Sequence, residues 1–186
     1  MAQDFRLDRF QEVLEAGLLK ICAALGWSGE MMISPDIEGK WDGFLKDYVA
    51  DAVENFNDYP DAALGFAAFL GMAVAFHWDL DWERYKGLGY RDYYGSRGFD
   101  DMDDHVTRDI LLLGDEADRK LRACISSCVQ AAQGLIRHEG IDTSSEQGFH
   151  VLVRCYEVLY RIGAHLTLSR LGYRKVAVSD VPYTHD

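Results

Sequence analysis

Apolar residues recur along this chain at steps of three and four, the spacing that lines one side of a 3.6-residue helix. The clearest run is Trp41, Phe44, Leu45, Tyr48, Val49, Ala52, Val53 and Phe56, with Asp42, Lys46, Asp47, Asp51, Glu54 and Asn55 on the opposite side. It predicts an amphipathic helix with one buried stripe. Leu7, Phe10, Leu14, Leu18, Ile21 and Leu25 predict a similar first helix ending near Gly26. Pro60 suits the first turn of a third helix, with Asn57 or Asp58 near its cap. Residues 62–76 of that helix carry no charge and are apolar nearly all round, and Gly65, Ala68, Gly71 and Ala75 would let neighbours come close. A helix without a polar face belongs at a centre, so residues 60–78 are expected to be wrapped by the other helices.

A further stripe over residues 102–135 keeps its period across Gly114-Asp115, where a C-cap followed by an N-cap predicts a break. Gly140 ends that segment. Thr143-Ser144-Ser145-Glu146 fits a capping box that starts a last helix at Thr143 or Ser144. Phe149, Leu152, Val153, Tyr156, Leu159, Tyr160, Gly163 and Leu166 form its buried stripe, and Gly172 stops it. Val176 and Val178 alternate before Pro182, which reads as a short extended arm. No other Val/Ile/Thr-rich run bounded by turn residues occurs, so no sheet is expected. The fold class is all-α: one domain over residues 1–175, a bundle of five to six helices around 60–78, followed by a tail at 176–186. Leu88-Gly89-Tyr90-Arg91 recurs as Leu171-Gly172-Tyr173-Arg174, and both copies read as glycine C-caps.

Charge narrows the partners. The 186 residues carry 19 Lys+Arg against 31 Asp+Glu, a net charge of −12. That balance argues against a general nucleic-acid binder and against a helix lying on anionic lipid. Charges at Asp4, Arg6, Asp8 and Arg9 interrupt any signal-peptide core, and the uncharged run at 62–76 falls short of the roughly 20 residues of a membrane span. A cytoplasmic protein with no membrane partner is therefore expected. The four cysteines, Cys22, Cys124, Cys128 and Cys155, include no C-x-x-C pair. Cys124 and Cys128 share one helix face. All four are expected to be small buried hydrophobes in a reducing compartment. The weaker alternative is a reactive thiol near Arg119 and Arg122.

One segment runs against the whole. Residues 84–99 hold four basic residues and one acid, with five aromatics and four glycines. Residues 100–118 then hold eight acids and one arginine. Arginine and tyrosine make good contact surfaces, because they offer large area and hydrogen-bonding ends with few rotamers to freeze. Arg84, Tyr90, Arg91, Tyr93, Tyr94 and Arg97 are the candidate partner-binding residues, for an anionic small ligand or another protein. The competing reading is a loop folded back over the bundle, its tyrosines covering apolar surface and its arginines paired with the acids that follow. Docking of the loop onto the acidic stretch of a second copy would give a homodimer.

Metal chemistry has one candidate set. Asp101, His105 and Asp109 fall at i, i+4 and i+8 of a predicted helix, and His77 and Asp81 form another i, i+4 pair. Carboxylates and imidazoles on facing helices can hold a divalent ion. Against it, neither H-E-x-x-H nor Glu-x-x-His occurs, and acids at a helix start are favoured by the helix dipole alone. His150 and His165 are expected on a polar face with Arg154 and Arg161, explained by i, i+4 pairing. No Gly-x-Ser-x-Gly elbow exists to support a hydrolase. The sequence thus predicts an acidic binding module that uses the 84–99 loop. The alternative is a metal-dependent enzyme with an Asp/His site between helices.

Overall fold

The computed structural model describes residues 2–175, so the expected arm at 176–186 lies outside the described residues. The chain is an all-α bundle. Helix α1 spans Ala2–Ala24, α2 Pro35–Phe56 and α3 Pro60–Tyr85. Two 3-10 turns, Tyr90–Tyr93 and Phe99–Asp101, lead into the short α4, Met102–Asp104, which continues as a π-helical turn over His105–Ile110. Helix α5 spans Asp115–His138 and α6 Glu146–Arg170.

The central helix is where its composition demands. Residues 63–75 of α3 are all buried, and α2, α5 and α6 pack around them. By length and composition α3 would also suit a membrane span; here 78% of its most apolar stretch is enclosed by the protein itself. Its closest neighbour is α6. A methyl group on Gly71 would overlap the Tyr160 carbonyl, and one on Gly163 would overlap the Ala68 carbonyl. The two helices therefore meet backbone to backbone, at positions where only glycine fits.

Helix ends follow the glycines. Gly26, Gly140 and Gly172 all take positive φ, which glycine reaches without steric cost. Behind them the Trp27 N–H bonds to the Cys22 carbonyl, Ile141 to Ile136 and Tyr173 to Leu168. Helix starts depart from expectation. Helix α3 is entered through Tyr59 with no side-chain cap, not through Asn57 or Asp58. Ser145, not Thr143 or Ser144, caps α6 by accepting from the Gly148 N–H. At the break after the π-turn, exposed Leu112 takes φ 52°, the left-handed turn expected of Gly114. Gly114 itself precedes α5, and Asp115 is already helical. Leu25, Val53 and Phe149, assigned to buried stripes by spacing, face solvent. The two Leu-Gly-Tyr-Arg copies also differ. Gly172 is a true C-cap, whereas Gly89 has φ −89° and donates its N–H to the Asp92 carboxylate at the start of a 3-10 turn.

Candidate functional site

The 84–99 segment is built onto α2. Lys40 donates to the Lys86 and Leu88 carbonyls at 2.7 and 2.9 Å, holding the end of α3. Tyr90 and Tyr93 point inward, 3% and 1% exposed, and lie against Phe44; Tyr90 also meets Tyr48. The Tyr90 hydroxyl donates to Asp51 at 2.7 Å, and the half-buried Tyr94 donates to the same carboxylate. Burial and the Asp51 carboxylate both push the tyrosine pKa values up, to about 12 at Tyr94. Gly95 and Gly98 close a tight turn through paired backbone bonds, and Asp101 braces it by accepting from Ser96 Oγ and the Arg97 N–H, both at 2.9 Å.

The six candidate residues thus divide. Tyr90 and Tyr93 are core side chains, a correction to their reading as contact residues: a tyrosine is mostly ring, and burying the ring outweighs displaying the hydroxyl. Arg84, Arg91 and Arg97 are exposed. Arg97 approaches Asp101 at 3.9 Å, and Arg84 lies over the Tyr85 ring at 5.1 Å. Arg84 and Arg91 have no ion-pair partner among the described residues. The acids of 100–118 turn instead to α5. Arg122 bonds Asp103, Asp104, Asp118 and Thr107 Oγ1 at 2.7 to 3.0 Å and lies over Phe69.

The Asp/His candidates scatter. His77 is buried, stacked on Tyr85 with 4.1 Å between ring centres, and its Nδ1 meets the Tyr93 hydroxyl at 3.1 Å. Asp81 has φ −167° and ψ 85°, so the helix is interrupted there and the i, i+4 register with His77 is lost. Asp81 accepts from the Arg84 N–H at 3.3 Å instead. His105 and Asp109 do meet, at 2.8 Å on the surface, across the π-helical turn, while Asp101 is occupied in bracing the 95–98 turn. These five residues do not assemble a set of three close donor atoms.

Such a set exists elsewhere. Among the described residues, Cys22, Cys124 and Cys128 bring three ligand atoms within 4.8 Å of one another, and all three side chains are fully buried. The sulfurs of Cys22 and Cys124 are 3.9 Å apart. Hydrogen bonds from Cys128 and then Cys22 hold the Cys124 thiol below its ordinary pKa, while the bond with Cys124 pushes Cys22 and Cys128 up. Cys124-to-Cys128 spacing puts those two on one helix face; that Cys22 of α1 completes the group is a matter of packing, which no pattern along the chain contains. Cys155 on α6 is buried but stands outside the group.

Comparison with protein-family models, with curated proteins and with solved structures gives no match. The functional reading rests on the geometry alone.

His165 sits beside this group and departs from its expected place on a polar face. It is buried, its Nδ1 accepting from the Met32 N–H at 3.0 Å and its Nε2 donating to the Ser28 carbonyl at 2.7 Å. The two bonds set one neutral tautomer. Arg154 and Arg161 pair across helices, with Asp8 and with Glu15 and Glu38, not along α6.

Proposed function

We propose that this chain is a binding module that presents Arg84, Arg91 and Arg97 to an acidic segment of another protein. One observation carries the reading: Arg84 and Arg91 are exposed without a carboxylate partner among the described residues, on a chain with net charge −12. Elsewhere Arg122, Arg154 and Arg161 are all consumed by internal acids. The loop that carries the free arginines is anchored by Tyr90, Tyr93, Lys40 and Asp51, so little ordering entropy is lost on binding. A local positive face on an acidic molecule also selects against wrong orientations, because like charges repel over the rest of the surface.

The test is titration of a labelled polyglutamate peptide, read by anisotropy, with wild type and with the Arg84→Ala/Arg91→Ala/Arg97→Ala variant. The wild type is expected to bind, more weakly as salt rises, since exposed charges are screened beyond about 8–10 Å at physiological ionic strength. The variant is expected to keep its melting temperature and lose about tenfold or more in affinity. Equal binding by both proteins overturns the assignment. Competition by inorganic phosphate as strong as by the peptide would place an anionic small ligand there instead. Tyr90 and Tyr93 are left intact, because replacing them would test folding and not binding.

A further inference from the structure

We infer that Cys22, Cys124 and Cys128 form a three-coordinate, all-sulfur site for a monovalent soft metal ion, Cu(I). The site is independent of the arginine face. The argument begins with distance. An ion bound to three sulfurs at about 2.3 Å in a plane holds them about 4.0 Å apart. Cys22 and Cys124 already stand at 3.9 Å, and no pair in the triangle exceeds 4.8 Å. Small side-chain rotations would complete it. Cys124 and Cys128 are one turn apart on α5, and Cys22 lies on α1, so the ion would tie two helices that are far apart in sequence.

Coordination number selects among thiophilic ions. Structural zinc takes four ligands. The nearest candidate for a fourth is His165, whose Nδ1 and Nε2 are both committed to backbone groups, at Met32 and Ser28. Water is no better placed, since all three cysteines are fully buried. An ion content with three sulfurs is required, and thiolates select Cu(I) among the first-row metals. Charge agrees. No lysine or arginine pairs with the cluster among the described residues, so any net charge gained there would lie uncompensated in the core. Cu(I) bound to one thiolate and two thiols displaces a single proton to solvent and leaves the site neutral. No electron is transferred in that step.

Packing alone can bury a cysteine, and Cys155 provides the internal control: it is equally buried, yet outside the triangle. The experiment is anaerobic competition for Cu(I) between the reduced protein and a chromophoric Cu(I) chelator. Wild type and Cys155→Ala are expected to withhold one equivalent from the chelator. Cys22→Ala, Cys124→Ala and Cys128→Ala are each expected to bind about 100-fold more weakly or worse. Circular dichroism checks that each variant is folded. Should an alanine variant fail to fold, X-ray absorption on copper-loaded wild type decides, with three sulfur neighbours near 2.3 Å expected. The site is overturned if folded wild type withholds no Cu(I), if the alanine variants withhold as much as wild type, or if the absorption spectrum shows nitrogen or oxygen ligands. Tighter retention of Zn(II) than of Cu(I) in the matching competition overturns the choice of ion.

Discussion

At the scale of single residues, what a side chain does here is set by the hydrogen bond it finds. Tyr48 and Tyr160 are buried with their hydroxyls given to the Ala63 and Ile37 carbonyls, both at 2.6 Å. Tyr156, in the same aromatic layer 5.4 Å from the Tyr48 ring, has a buried hydroxyl with no partner. A lone buried hydroxyl costs its lost hydration without recompense. Tyr156→Phe is therefore expected to stabilise the fold by about 1 kcal/mol, read as a higher urea midpoint at unchanged slope. A lowered midpoint would mean that the hydroxyl has a role the contacts do not account for. None of this was legible in the sequence. Tyr156 and Tyr160 fall on the same predicted stripe, and only the carbonyls opposite them tell the two apart. The same holds for His165, whose partners lie more than a hundred residues away.

At the scale of elements, stripes and stops were readable, while starts and contacts were not. The glycines that end α1, α5 and α6 announce themselves, because a positive φ is a local demand. Start signals are weaker, since several neighbouring Ser, Thr, Asn and Asp residues compete for one cap; hence Ser145 in place of Thr143 or Ser144. The meaning of a glycine inside a helix depends on its neighbours. Gly71 touches the α6 backbone, and Gly39 on α2 faces open space. Gly71→Ala is expected to push α3 and α6 apart and cost about 3 kcal/mol or more. Gly39→Ala is expected to add roughly 0.5–1 kcal/mol through helix propensity alone. Denaturation of the two variants side by side checks this. Equal effects would deny the backbone-to-backbone crossing.

At the scale of the whole molecule, the buried imidazoles tie stability to pH. Burial lowers the pKa of both His77 and His165 from the ordinary 6.5. As pH falls through 6.5, the unfolded chain takes up protons that the folded chain refuses. The folded state therefore loses stability on acidification between 6.5 and the lower folded pKa values, and is unaffected by these groups well above 6.5. The urea midpoint is expected to fall from about pH 7.5 to about pH 5.5, and His77→Gln, which does not titrate, to show a shallower decline. A midpoint that holds steady over that range would contradict the burial of these rings.

The sequence by itself determined the all-α class, the stripes of the amphipathic helices and the central position of α3. Each follows from local spacing and composition: a helix with no polar face has to be enclosed, whatever encloses it. Tertiary structure alone decided which tyrosines of the 84–99 segment turn inward, that Arg122 and not the loop arginines neutralises the acidic stretch, and that a cysteine of α1 meets two of α5. Those outcomes depend on distances between residues far apart in the chain. Periodicity records which side of a helix is buried, but it holds no record of what lies across from it.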